Sequence, residues 1–293
     1  MASRQGIKSR IKSVTNTKQI TKAMQLVAAS KLRKAQESTF GPRRYLEATK
    51  QLVSELAATS AAVNSPLFNS HNKSKNKLTI VISSDRGLAG AYNSNVVRAL
   101  VKHLRDGDGY HKVISVGRYA SLFVAKINGK DDAYNLKDVD EISAFPLQVI
   151  NTYVELVEPI LKEAVDAFTK HQVGEVYVVY TKFVSTVKQE TSIEKLLPLA
   201  SSLSSPVLAE KTYEPSGEAL VDFIANRFIE ATLSQHILES IASEHASRML
   251  AMKNATDNAS DLIDDLTLAF NNARQAAITQ ELAEISAGAQ AIN

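Results

Sequence analysis

The 293-residue chain contains no cysteine and no tryptophan, and only 11 glycines and 7 prolines. Without cysteine it can form no disulfide, no thiolate metal site and no thiol switch, and this composition suits a reducing compartment. No apolar run is long enough to span a bilayer, so we expect no direct membrane insertion. The overall charge of +3 is small, but it hides a strong difference between the two ends of the chain.

The last quarter of the chain lacks helix breakers. Residues 218–293 hold no proline, and their one glycine is Gly288. A helix of that length would be roughly 110 Å long at 1.5 Å per residue, longer than any domain the remaining residues could form. Apolar residues recur along it at steps of three and four, which predicts a stripe that packs against a partner helix. They are Leu238, Ala242, Ala246, Met249, Met252, Ala255, Ala259, Leu262, Leu266, Phe270, Ala273 and Ala277.

Residues 3–62 are predicted to supply the partner helix. Their apolar stripe comprises Ile7, Ile11, Val14, Ile20, Met24, Val27, Leu32 and Ala35. The Gly41-Pro42 pair should bend or break this helix. Charge favours the pairing, because residues 1–50 hold twelve Lys/Arg against two Glu, whereas residues 218–293 hold four Lys/Arg against eleven Asp/Glu. We therefore predict an antiparallel coiled coil of the two ends, with a globular insertion between them.

The insertion alternates predicted strands and helices, which indicates an α/β fold with a parallel sheet and right-handed crossovers. Strands are predicted at residues 78–84, 113–116 and 175–180, with an edge strand at 184–193. Helices are predicted at residues 92–104, after Gly117-Arg118, and over a longer stretch that Phe145-Pro146 opens and that ends near residue 170.

The residues themselves predict no catalytic, cofactor or metal site. The turn at residues 84–91 lies where a doubly wound fold would hold a phosphate loop, but it has neither GxGxxG nor the GK[ST] ending, and no lysine. A tight turn that needs glycine is the favoured interpretation. The six histidines show no metal-ligand spacing. We predict a polar surface position for His245 and a solvated face at Asp264-Asp265.

The basic N-terminus leaves three interpretations open. Residues 1–36 contain no acid and many Lys, Arg, Ser and Thr, as a mitochondrial transit peptide does. A basic helix on nucleic acid has the same composition. The third interpretation is a basic face that meets acidic protein surfaces.

Several motifs carry the interpretation further. The segment ITQELAEISAGAQA at residues 278–291 resembles the C-terminal signature of the gamma subunit family of rotary proton-translocating ATP synthases. IKSVTNTKQITKAM at residues 11–24, continued by VAASKL at 27–32, is similar to the opening helix of that family, and SSDRGLAG at 83–90 looks like its central turn. SEHASRM at 243–249 and Asp257-Asn258-Ala259 extend the resemblance, in order, over the whole chain.

The resemblance implies a rotor. The expected fold is α/β: a long antiparallel coiled coil of the N- and C-terminal helices plus a small Rossmann-like α/β domain. The expected segments are a shaft helix at 1–68, the α/β domain at 77–200 and a second shaft helix at 218–293, all within one family domain over 1–293. The shaft would couple proton flow through the membrane sector to ATP synthesis or hydrolysis in the catalytic ring. It would be non-catalytic itself and bind no cofactor and no metal. The alternatives are a coiled-coil scaffold that binds nucleic acid and a nucleotide-binding α/β protein.

The resemblance also implies partners and contact residues. The expected partners are the alpha and beta subunits of the catalytic hexamer, the epsilon subunit and the membrane c-ring, with no nucleic acid. Positions gripped by loops of the catalytic ring match Arg248, Gln275, Thr279 and Glu281, with Met24 facing them from the N-terminal helix. Tyr213 and Glu214 match a loop near the membrane ring and the epsilon subunit. Since the family opening starts almost at Met1, we expect no presequence and a bacterial chain, peripheral on the cytoplasmic face of the plasma membrane.

Overall fold

The computed structural model describes residues 4–57, 62, 64–68, 74–106, 109–127, 136, 139–147, 153–199 and 218–292. The chain forms two compact units. One consists of Met1–Ala28 with Arg248–Asn293, and the other of Ala29–Ser247. Helix α1 (Arg4–Leu56) and the last helix, α5 (Glu218–Ile292), contribute to both units. The predicted long helix at the C-terminus is thereby confirmed.

Helix α1 is shorter than predicted and is not broken. It ends at Leu56 rather than at residue 62, and Pro42 lies inside it. The buried or half-buried positions 35, 39, 42, 46, 49, 53 and 56 follow steps of four and three through the Gly41-Pro42 pair. Because this face packs without a change of phase, its burial outweighs the one backbone hydrogen bond that Pro42 cannot donate.

In the unit of Met1–Ala28 and Arg248–Asn293, each helix presents a seam with a 3.5-residue period. On α1, positions 7, 11, 14, 18, 21, 25 and 28 are buried or half-buried. On α5, the same holds for positions 252, 256, 259, 263, 266, 270, 273 and 277. The two helices meet at Thr21 and Thr256, whose hydroxyl oxygens lie 2.8 Å apart.

Three of the apolar residues that were assigned to the stripes are exposed and lie outside these seams. Ile20, Val27 and Leu262 are 61%, 55% and 40% exposed, so their assignment was wrong. The stripes were drawn through apolar residues alone, whereas the coil keeps its 3.5-residue period even where that period places Thr21 or Thr256 at the contact.

The unit of Ala29–Ser247 contains a five-stranded sheet. Its elements are β1 (Lys77–Ile82), α2 (Tyr92–Arg105), β2 (His111–Val116), α3 (Arg118–Ile127), β3 (Val139–Phe145), α4 (Tyr153–Thr169), β4 (Glu175–Phe183) and β5 (Gln189–Leu197). The strand order is β3-β2-β1-β4-β5. The first four strands are parallel, and β5 runs antiparallel to β4 at the edge. The predicted parallel sheet and the edge position of the last strand are confirmed.

Two predicted elements in this unit were misplaced. Phe145 ends strand β3 and does not open a helix, and α4 begins only at Tyr153. Strand β3 escaped prediction because its residues alternate between exposed and half-buried after Val139, as expected of an edge strand with little apolar content. Strand β5 begins at Gln189, so residues 184–188 form the connection from β4.

One core cluster of this unit lies between the sheet and the apolar faces of α2 and α3. Val96 and Leu100 of α2 and Val124 of α3 are at most 1% exposed, and they cluster with Val81 and Val179 from the strands. This packing places the turn between β1 and α2 at the carboxyl edge of the parallel strands, where doubly wound proteins bind their ligands.

Candidate functional site

The turn after β1 uses Ser84 and Asp85 to bond to the two helices beside it. The backbone N–H of Ser84 donates to Asn93 Oδ1 at 3.2 Å, and Asn93 Nδ2 donates to Ser84 Oγ at 2.7 Å. The N–H of Arg118, at the start of α3, donates to Asp85 Oδ1 at 2.8 Å. A helix N-terminus is where a phosphate would bind. Here the N-terminus of α3 is occupied by the carboxylate of Asp85.

Two glycines let this turn pack closely against its neighbours. A Cβ atom at Gly87 would lie 2.6 Å from the hydroxyl oxygen of Tyr119. Gly117 has a φ of +91°, and a Cβ there would collide with the carbonyl of Ser83. At Gly117 the close approach to the Ser83 backbone therefore requires glycine, whereas a Cβ at Gly87 would displace only the end of the Tyr119 side chain.

Two histidines that no motif of the sequence had singled out lie close together at the amino edge of the sheet. The rings of His103 and His111 have centroids 6.3 Å apart, and the Tyr177 ring lies 4.6 Å from His103. Burial, with help from His111 and Lys77, lowers the pKa of His103 to about 4. Within the part of the chain that the structure describes, no group of three or more His, Cys, Asp or Glu could hold a metal ion. His103 is therefore an uncharged packing group near neutral pH.

Helix α5 buries polar residues that were expected at the surface. His245 and Glu244 are each 7% exposed, so the predicted surface position of His245 was wrong. Between residues 229 and 247, α5 is enclosed by the rest of its unit, and every position there is buried or half-buried. Asp264 and Asp265 are exposed, as predicted.

The structure separates the residues that the resemblance assigned to the catalytic ring. Gln275, Thr279 and Glu281 are exposed, Met24 is half-buried, and Arg248 is 9% exposed. Thr279 Oγ1 donates to the carbonyl of Gln275 at 3.0 Å, within the helix. Tyr213 and Glu214 lie outside the described residues.

These residues form a series along α5 and not one patch. Arg248 and Gln275 are 27 positions apart, which is about 40 Å along a helix. Met24 lies one turn from Thr21, which contacts Thr256, so Met24 is level with the early part of this series. We had expected Met24 to face Gln275 and Glu281 as well. It lies instead near the level of Thr256, far from both.

Across the described helices, none is long and apolar enough to cross a membrane. Two long helices that extend beyond an α/β sheet are the architecture of a shaft that carries a small domain. A family model described as ATP synthase matches residues 3–292. This match, together with full-length gamma-chain relatives that are 39% and 40% identical, shows that the chain belongs to the ATP synthase gamma chain family.

Curated relatives match the chain from end to end. The ATP synthase gamma chain of Stenotrophomonas maltophilia (strain R551-3) is 39% identical over 299 aligned residues, and the alignment covers 100% of both chains. The gamma chain of Xanthomonas campestris pv. campestris (strain B100) is 40% identical with the same coverage.

Solved structures share the fold. The central stalk and c-ring structure of the Tetrahymena thermophila mitochondrial ATP synthase contains a chain with a TM-score of 0.56 and 23% identity, covering 80% of this chain and 99% of that chain. The rotor of the Euglena gracilis mitochondrial ATP synthase contains one with a TM-score of 0.61 and 16% identity, covering 94% of this chain and 98% of that chain.

Proposed function

We propose that this chain is the central rotor shaft of a bacterial rotary ATP synthase. It couples proton flow through the membrane sector to ATP synthesis or hydrolysis in a catalytic ring of alpha and beta subunits, and it catalyses neither reaction itself. Its other partners are the epsilon subunit and the membrane c-ring. Support comes from the full-length gamma-chain relatives and from neighbours described as central stalk, rotor and c-ring structures.

The observation that carries the proposal is an apolar row on the outside of α1. Ile20, Met24 and Val27 follow one another at steps of four and three, so they lie on one helix face. Ile20 and Val27 are more than half exposed, and the seam with α5 does not use them. An exposed apolar row of this kind needs a cover in water. Surrounding loops of a catalytic ring would provide it, with Met24 at the centre of the contact.

The far end of α5 repeats this arrangement. Ile278, Leu282 and Ile285 are 46%, 60% and 69% exposed and follow the same spacing. Polar positions beside this row include Gln275, Thr279 and Glu281. An apolar row flanked by hydrogen-bonding groups suits a helix end that rotates inside a ring of surrounding subunits. Arg248, further back on α5, is the largely buried member of the same contact series.

Two parts of the proposal rest on the family relationship. Tyr213 and Glu214 would contact the c-ring and the epsilon subunit at the membrane end of the shaft. Through these partners the chain would be held peripherally on the cytoplasmic face of the bacterial plasma membrane, without inserting into it.

Gentle purification of the tagged chain from its own cells tests the proposal. We expect the alpha, beta, epsilon and c subunits to accompany it, and the purified chain alone to hydrolyse no ATP. Replacement of Ile20 and Val27 by serine should lower coupled ATP synthesis in reconstituted vesicles. The matched control is Val154→Ser, which removes an equally exposed valine from α4 and should leave synthesis unchanged.

The two alternatives predict other results. A nucleotide-binding α/β protein would bind ATP as an isolated chain, and a nucleic-acid scaffold would bind duplex DNA with an affinity that falls steeply with salt. Either result, without copurifying ATP synthase subunits, would overturn the rotor proposal.

A further inference from the structure

One face of α5 is polar where it meets the sheet of its own unit. His236, Ser240, Ser243 and Ser247 follow one another at steps of four, three and four, which places them on one side of the helix. His236 is 5% exposed, and Ser240 and Ser243 are fully buried. Each of the four forms a hydrogen bond to β4 or β5. A helix face that packs on a sheet is ordinarily apolar at such positions.

Ser240 and Ser243 form hydrogen bonds with the backbone of a single strand residue, Thr181. Strand β1 pairs with β4 as far as Val179, and Thr181 lies two residues beyond that point. The N–H of Thr181 donates to Ser240 Oγ at 3.2 Å, and its carbonyl accepts the hydroxyl of Ser243 at 3.0 Å. Helix α5 thereby takes the place of a neighbouring strand for this residue, which is itself 3% exposed.

One turn earlier, His236 joins a side-chain network on the same sheet edge. Its ring stacks on Tyr180 with centroids 3.9 Å apart, and its Nε2 lies 3.1 Å from Glu194 Oε2. The Tyr180 hydroxyl donates to Glu194 Oε1 at 2.6 Å. The hydrogen bond from His236, aided by the one from Tyr180, lowers the pKa of Glu194 to about 2. One turn after Ser243, Ser247 Oγ donates to Gln189 Oε1 at 3.1 Å.

We infer that this polar seam, formed by His236, Ser240, Ser243 and Ser247, fixes the register of α5 on the α/β sheet, so that torque passes between them without slippage. We call this contact the joint. Apolar contacts are non-directional, so a purely apolar face would tolerate a small rotation or slide of the helix. The hydrogen bonds to Thr181 can form in one register only, and losing them would leave buried polar groups unpaired. Buried polar contacts are known to set register in helical assemblies at some cost in stability.

The inference rests on the proposed rotor function, because this contact can pass torque only if the chain turns as a shaft. The four residues of the seam touch no substrate. They are positioning residues whose effect should appear in coupling and not only in stability.

The test uses the complete ATP synthase, reconstituted in vesicles with the chain carrying Ser240→Ala and Ser243→Ala. The expected result is a fall of at least about threefold in protons pumped per ATP hydrolysed, because both bonds to the buried Thr181 backbone are lost. The matched control is Ile237→Val with Ile241→Val, which trims two buried apolar residues of the same helix. The thermal stabilities of the two double variants are measured first, so that a loss of coupling can be distinguished from a loss of stability.

The possible outcomes separate the two ideas. If the control keeps wild-type coupling while the serine variant loses it, the joint is supported. Equal coupling in both variants, at any level, overturns it. If the serine variant does not assemble, His236→Phe retains the ring stacking without the bond to Glu194, and unchanged coupling in that variant also overturns the joint. A wild-type chain that fails to restore coupling would instead overturn the rotor proposal.

Discussion

A hydroxyl-to-hydroxyl hydrogen bond of 2.8 Å joins Thr21 of α1 to Thr256 of α5. Thr256 Oγ1 also lies 2.8 Å from the carbonyl of Met252, and Thr21 Oγ1 lies 3.1 Å from that of Lys18. One threonine can therefore donate across the seam while the other donates to its own helix. The bond ties the two helices together at a contact that an apolar stripe would not have predicted.

The two threonines should be energetically coupled. Thr21→Val and Thr256→Val each remove one hydroxyl at nearly constant volume, and the double variant should lose less than the sum of the two. We expect a coupling free energy of about 1 kcal/mol. Urea unfolding of the four chains measures it, and strict additivity would contradict the contact.

Ala259 should not tolerate a larger side chain. It is 7% exposed on the α5 seam, so Ala259→Leu should destabilise the chain by about 1–3 kcal/mol through overpacking. Ser260 is half-buried beside the seam and donates to the carbonyl of Thr256. Ser260→Leu should cost less. Thermal melts followed by circular dichroism compare the two, and equal melting temperatures would mean that the seam register is wrong.

Arg248 and Glu281 should matter for coupling. If they contact the catalytic ring, Arg248→Ala and Glu281→Ala should lower ATP synthesis in reconstituted vesicles. The Glu281 variant should leave the melting temperature of the isolated chain unchanged, because Glu281 is exposed. Wild-type synthesis rates in both variants would remove these residues from the contact series.

His103 should make the chain less stable in mild acid. Its pKa falls from the ordinary value of 6.5 to about 4 in the folded chain, so below pH 6.5 the unfolded state binds more protons and stability drops until about pH 4. We expect a loss of about 1–2 kcal/mol, less than the full shift would give because His103 is only partly buried. In His103→Gln this pH dependence should flatten. Urea titrations at pH 7 and pH 4 check it, and His171→Asn, at an exposed position, is the control.

The membrane end of the shaft can be located by crosslinking. A photoreactive group at position 213 of the assembled complex should react with the c-ring or the epsilon subunit, since Tyr213 is proposed to lie near both. The same group at position 154, on the exposed face of α4, is the comparison. Crosslinks from position 213 that stay within the chain would count against the proposed contact.

Local sequence features were enough to predict the helices and strands whose pattern is contained in their own residues. The absence of proline from residues 218–293 predicted α5, because nothing in that stretch interrupts backbone hydrogen bonding. The apolar run at 78–82 predicted β1. Strand β3 was missed, since an edge strand does not need an apolar run.

The tertiary structure decided which face of each element is used. Ile20 and Val27 are as apolar as any seam residue, yet they point outward, because the seam follows the period set by two helices winding together. The helix continues through Pro42, since the buried positions before and after it follow the same spacing and lie on one face. Ser240 and Ser243 look like surface serines in the sequence. Only the end of β1 at Ile82, which leaves Thr181 beside α5, turns them into partners of a strand, and that neighbour is 59 or more residues away in the chain.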